Sequence, residues 1–176
     1  TRFDLKLVDI SDLASKVDFL VFNEALEKNK GVVKAIRVPG AATKFSRKVT
    51  DKFNPFVEQF GAGGAPTVKF VDGEFATGIA KFLGDVKDEL VERLGLEDGD
   101  AVVFGADTYN VCTKALGELR LKIAREHDYI PEGKWNFLWV YDFPMFEYDE
   151  ENKKCRQRYL KCWVCPKKKQ NSSLVS

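Results

Sequence analysis

Histidine is almost missing from this chain of 176 residues: His127 stands alone. It falls at the end of a predicted helix, where a cationic group meets the helix dipole favourably, and that role suits it better than catalysis. Cysteine is scarce and lopsided, with Cys112 followed only by Cys155, Cys162 and Cys165. The pair Cys162-x-x-Cys165 with Cys155 upstream is the one metal-like spacing, but three thiols fall one ligand short of a closed zinc site unless His127 folds back. No metal site is therefore expected. Long apolar runs are missing too, which argues against a membrane span, and the chain opens on Thr1 with no charged and apolar leader behind it. The glycine run Gly61 to Gly64 lacks what a phosphate loop needs, because Ala65, Pro66 and a β-type run follow it instead of a helix with Lys-Ser/Thr. It reads as a helix C-cap and loop.

Acidic residues are absent after Glu151. All 27 Asp and Glu precede Asn152, where 20 Lys and Arg oppose them for a net −7, and the remaining eight Lys and Arg give the tail +8. An acidic body is a poor general binder of phosphate backbones, so contact with nucleic acid there requires a local basic patch. The basic tail could bind nucleic acid without sequence preference. The rest of the composition, 44% hydrophobic and 31% charged, is that of an ordinary globular protein of one or two small domains.

Phe3 to Ile10 alternates apolar and polar residues as a half-buried strand does, and Ser11 or Asp12 can cap a short helix after it. Asp18 to Glu27 is open between strand and helix. Strands are predicted at Val32 to Val38, Thr67 to Val71 and Ala101 to Gly105, with Asp72-Gly73 turning a hairpin into Phe75 to Ile79. Ser46 is a candidate N-cap for a helix through Phe60, and Asn54 with Pro55 at N1 would start its second segment. Asp85 should cap a helix ending before Gly95. Asp98 and Asp100 read as a solvated acidic turn in preference to a metal pair. Asp107 or Thr108 starts the longest helix, to about Glu126, with Cys112, Ala115, Leu116, Leu119 and Ile123 as its buried stripe. Phe137 to Tyr141 is an unbroken apolar run, predicted as a central strand from Asn136 to Phe143 that ends before Pro144.

The words around that run are also the most distinctive. WNFLWVYDFPMFEYDEE, Trp135 to Glu151, closely resembles the segment that leads into the His-His-Pro-Phe motif of bacterial-type aspartyl-tRNA synthetases. RFDLKLVDISDL (Arg2 to Leu13) resembles the exit of that catalytic domain toward an inserted domain. VVKAIRVPGAATKFSRK (Val32 to Lys48), GIAKFL (Gly78 to Leu83), FGAD (Phe104 to Asp107) and ALGELRLKIARE (Ala115 to Glu126) resemble the insertion, the GAD domain, and its return helix. The resemblance is collinear across about residues 1–152 and stops where the His-His-Pro-Phe motif would be due.

The resemblance implies an α+β fold: a small GAD-like insertion domain with a mixed sheet and helices packed on one side, flanked by pieces of a class II antiparallel catalytic sheet. The expected divisions are 1–18 (catalytic strand and turn), 19–113 (insertion), 114–152 (return helix and catalytic strand) and 153–176 (a basic tail, disordered or the product of a shifted or unspliced reading frame). It further implies a cytoplasmic parent enzyme, an aspartate–tRNA ligase acting as a homodimer on tRNA with ATP and magnesium through an aspartyl-adenylate. No catalytic residue carries over, because the class II motifs and the His-His pair are not among the residues quoted. The fragment by itself is expected to bind no cofactor and to be inactive. Arg37, Lys44, Arg47 and Lys48 are the candidate tRNA contacts, with a merely solvated surface as their bland alternative. The competing reading is a non-catalytic nucleic-acid or protein interaction module that uses the basic tail as its arm.

Overall fold

The computed structural model describes residues 3–133, together with 135, 137, 139, 146–149 and 153–157. These fall into two units, one up to residue 136 and one from 137 on.

The first unit is built on one five-stranded sheet in the order β1-β2-β5-β3-β4. Its strands are β1 (Leu7–Asp9), β2 (Gly31–Val38), β3 (Thr67–Val71), β4 (Glu74–Ala76) and β5 (Ala101–Thr108). At its centre, β5 has every residue from Ala101 to Asp107 buried, so the doubly buried strand of this sheet is AVVFGADT. The predicted strand Asn136 to Phe143 lies mostly outside the described residues. Phe137 and Trp139, which are described, are 92% and 93% exposed and belong to no strand.

Every ladder in the sheet is antiparallel, where a mixed sheet was expected. The alternation of side chains along a strand records which faces are covered but not which way its neighbour runs. The strand within Phe3 to Ile10, expected to be detached, is paired. Leu7, Val8 and Asp9 pair with Ile36, Ala35 and Lys34 of β2, and Ile10 N–H donates to Val33 O at 2.9 Å.

Helices cover both faces of the sheet, not one. On the first face, Val33, Ala35, Val68, Phe70, Val102 and Phe104 pack under α1 (Ser11–Ala14), α2 (Leu20–Glu27) and α5 (Lys87–Leu94). The ambiguous Asp18 to Glu27 becomes helix because Phe22 and Ala25, three apart, both point inward, with the Phe22 ring 5.8 Å from that of Phe104. On the second face, Ile36, Val38, Ala101 and Val103 pack under α4 (Phe53–Glu58) and α6 (Tyr109–Glu126). The α6 stripe is the predicted one with Ala124 added. Full burial of each of its Leu and Ile side chains is worth about 1.5–3 kcal/mol.

Local details differ where tertiary contacts supplied a partner. Ser46 precedes α3 (Arg47–Thr50) in extended backbone but makes no side-chain cap. Asn54 does not cap either: α4 begins at Phe53, and the Asn54 Oδ1 accepts from the Ala65 N–H at 2.9 Å. Pro55 is then the third helical residue, still in the first turn, where a missing N–H breaks no helical hydrogen bond. In place of an Asp85 cap, Gly84–Val86 forms a 3-10 turn before α5. The C-terminal signals hold. Gly95 is left-handed at φ +59°, with Leu96 N–H donating to Val91 O and Gly95 N–H to Glu92 O. Gly61, at φ +87°, closes α4 by the same Schellman pattern onto Glu58 and Val57.

In the second unit, β6 (Phe146–Asp149) pairs antiparallel with β7 (Lys154–Gln157), setting Glu147 opposite Arg156 and Asp149 opposite Lys154 in register. The tail's first residues are thus a strand where disorder was expected. Residues 158–176, with Cys162 and Cys165, lie outside the described residues.

Candidate functional site

The four basic residues singled out in the sequence belong to one segment, yet the structure gives them different surroundings. Along β2, Val33, Ala35 and Arg37 alternate onto the face covered by α5. After Pro39 and Gly40 the chain crosses the sheet end, and Ala41 and Phe45 sink into the opposite core. Arg37 is therefore on one side of the sheet, and the segment of Lys44, Arg47 and Lys48 is anchored on the other.

Arg37 is fully engaged. Its Nε donates to Asp100 Oδ2 at 2.6 Å, and an Nη lies 3.3 Å from Glu97 Oε1. Asp100 is 2% exposed and accepts two further hydrogen bonds from the loop, Gly40 N–H at 2.9 Å on Oδ1 and Glu97 N–H at 3.0 Å on Oδ2. The prediction of a solvated acidic turn fails for Asp100, which is a buried anion satisfied by a cation and two amides. Asp98 is the exposed half of the pair, and its Oδ1 accepts the Asp72 N–H at 2.5 Å, tying two turns together.

Lys44 is exposed and reaches the end of α6, its Nζ 3.3 Å from the His127 carbonyl and 4.8 Å from the centroid of the Tyr129 ring. The charge at this helix terminus is thus supplied by Lys44 across space. The His127 ring lies 5.3 Å from that of Phe45, and its buried Nε2 has no partner among the described residues. Tyr129 Oη donates to Pro39 O at 2.6 Å, and burial pushes its pKa up.

Arg47 and Lys48 are exposed on α3 and form no ion pair with a described residue. Arg47 borders a cleft of about 550 Å³, also lined by Thr50 and Asp51 and by Thr67 and Lys69 of β3. Sequence reading missed Lys69. Its signal was the alternation in TVKFV, where Val68 and Phe70 face the first core and Thr67 and Lys69 are left for the other side. Among the described residues no group of three His, Cys, Asp or Glu could hold a metal ion, and no helix is long and apolar enough to cross a membrane.

Cys112 is the other titratable group of note. It is 1% exposed, its Sγ lies 3.3 Å from Gly105 O, and burial pushes its pKa up to about 11. The thiol is neutral and inert at neutral pH, while Cys155 is exposed.

An antiparallel sheet with helices on both faces, and a basic segment carried over its end on buried Ala41 and Phe45, defines a small α+β domain of the insertion type. The sequence pattern of the GAD domain matches residues 22–116, and the chain belongs to that family. It is also similar to aspartate–tRNA ligases: 51% identical over 160 residues to that of Lactococcus lactis subsp. cremoris (strain SK11), 49% over 160 to that of Streptococcus equi subsp. zooepidemicus (strain MGCS10565), and 50% over 151 to that of Streptococcus pneumoniae serotype 19F (strain G54). The first two alignments cover 91% of this chain and 26% of each relative, the third 86% and 25%. The chain spans about a quarter of the length of the curated relatives it matches.

Proposed function

We propose that this chain is the insertion-domain portion of an aspartate–tRNA ligase. The observation that carries this reading is identity near 50% along nine-tenths of the chain to enzymes of that name, with the GAD family match at its centre. The parent would join aspartate to tRNA through an aspartyl-adenylate, using ATP and magnesium, as a homodimer in the cytoplasm. The residues of this chain supply none of the catalytic groups, and the domain serves the reaction by holding tRNA.

Within that role, Lys44, Arg47 and Lys48 are the contacts, and Arg37 is a positioning residue that fixes the segment through Asp100. Arg47 and Lys48 are exposed cations without ion-pair partners among the described residues, as phosphate contacts require. The charge division favours a second reading, in which the +8 tail binds nucleic acid by itself.

The test is binding of tRNA to the chain, to a triple variant Lys44→Gln, Arg47→Gln, Lys48→Gln, and to a chain lacking 153–176. Loss in the triple variant with retention in the shortened chain is expected. The reverse pattern establishes the tail as the binder, and no binding by the unaltered chain removes both.

A further inference from the structure

Past the end of α6 the chain doubles back over the basic segment. His127 N–H donates to Ile123 O at 3.1 Å and Tyr129 N–H to Ala124 O at 3.0 Å, which turns residues 127–130 toward the stretch from Pro39 to Phe45. Three side chains hold them there. Tyr129 Oη donates to Pro39 O at 2.6 Å, and the His127 ring lies 5.3 Å from that of Phe45. Lys44 Nζ donates to His127 O at 3.3 Å while standing 4.8 Å from the centroid of the Tyr129 ring.

Residues 127–130 are a strap laid on the surface and not a core element. Residues 127–133 belong to no helix or strand, Tyr129 and Ile130 are only partly buried against the second core, and Pro131 to Gly133 are exposed. Ile123 and Ala124 are fully buried, so the hinge lies beyond them. Closure carries its own penalty: the buried His127 Nε2 has no partner among the described residues, and lifting the strap would return it to water. A segment with few buried contacts and an unsatisfied polar atom belongs to the low-stability end of a fold. Closure also occupies the Lys44 ammonium.

We propose that residues 127–130 are a strap that opens and closes over Lys44. Closed, it holds the ammonium on the His127 carbonyl and the Tyr129 ring, and open, it releases Lys44 to a phosphate-bearing partner. A phosphate that binds Lys44 only when it is released must in turn favour the open strap, since coupling between two equilibria is reciprocal. In the tRNA reading that partner is the RNA backbone, and there the proposal rests on that reading, but the strap is measured without tRNA.

The experiment is amide hydrogen exchange of the full chain by NMR, read at residue 129 and corrected for the intrinsic rate of each sequence. The reference for global opening is Phe104 of β5, whose N–H donates to Pro66 O at 2.8 Å. Tyr129→Phe, which removes the bond to Pro39 and keeps the ring, should raise exchange at 129 about fivefold, and Lys44→Met about threefold, as loss of one net hydrogen bond does. His127→Phe should lower it, because the ring stays against Phe45 and the unpaired nitrogen is gone. Inorganic tripolyphosphate should raise exchange at 129 in the unaltered chain and have no effect in Lys44→Met. Equal acceleration at Phe104, no response at 129 to Lys44→Met, a rise in His127→Phe, or no dependence of the tripolyphosphate effect on Lys44 overturns the proposal. A chain whose strap responds as expected but that binds no tRNA keeps the strap and loses the tRNA reading. One that binds tRNA with an unresponsive strap does the opposite.

Discussion

Arg37 and Asp100 show how one buried pair can organise a basic segment. Asp100 Oδ1 and Oδ2 receive the Gly40 and Glu97 amides as well as the Arg37 guanidinium, so the carboxylate sets where the chain crosses from one face of the sheet to the other. Asp100→Ala would leave two amides unpaired and the Arg37 guanidinium with only the exposed Glu97 carboxylate. A loss of about 2–3 kcal/mol is expected, below the largest values for buried pairs because Arg37 is partly exposed. Urea unfolding would measure it as a lower midpoint at unchanged slope. Cys112 offers a test of the opposite sign with pH. The folded chain keeps the thiol proton up to about pH 11 while the unfolded chain releases it near 9, so stability falls as pH rises through that window. Cys112→Ala should show a shallower fall in urea midpoint between pH 9 and 11. Iodoacetamide should label Cys155 and spare Cys112 in the native chain, as read by mass spectrometry.

Helix α6 lies on the sheet through one glycine and carries another without need. A Cβ on Gly105 of β5 would stand 2.7 Å from the fully buried Leu116, so the helix and strand meet there because the side chain is missing. Gly105→Ala should cost about 1–3 kcal/mol by overpacking. On α6 itself, nothing lies within 4 Å of a Cβ on Gly117. Gly117→Ala should stabilise by about 0.5–1 kcal/mol, the difference in helix propensity. Thermal melts of the two variants should move in opposite directions. The α6 bounds and buried stripe were legible from apolar spacing, because eighteen residues hold enough turns for a period to show. Eight-residue α2 and four-residue α3 hold too few: contact with the sheet settled α2, while α3 buries no residue and lies beside α4.

Charge divides the whole chain more sharply than its fold does. An acidic body and a tail of +8 predict nucleic-acid binding of two kinds in one molecule. At low salt the full chain should bind duplex DNA of any sequence, with an affinity that falls steeply with salt. Removing 158–176 should reduce the slope of log affinity against log salt by roughly the number of phosphates its five Lys and Arg neutralised. Filter binding across a salt series would measure both slopes. An unchanged slope after the deletion would show that the tail makes no phosphate contact.

Of the candidate site, Arg47 and Lys48 were visible in sequence as cations on a helix start, and Lys69 was recoverable from period-two alternation. Asp100 was misjudged, since the residues that bury it lie sixty positions away in Arg37 and Gly40. By itself the sequence determined the three long strands, the long helix with its stripe, the glycine stops and the family, because each is a local pattern that repeats or ends within a few residues. Only the tertiary structure decided that β5 is the sheet's centre, that its ladders are antiparallel, that helices take both faces, and that Arg37 is paired while Arg47 and Lys69 have no ion pair among the described residues. Those facts depend on which distant segments meet, and the hydrogen bonds and desolvation that decide them exist only once they do.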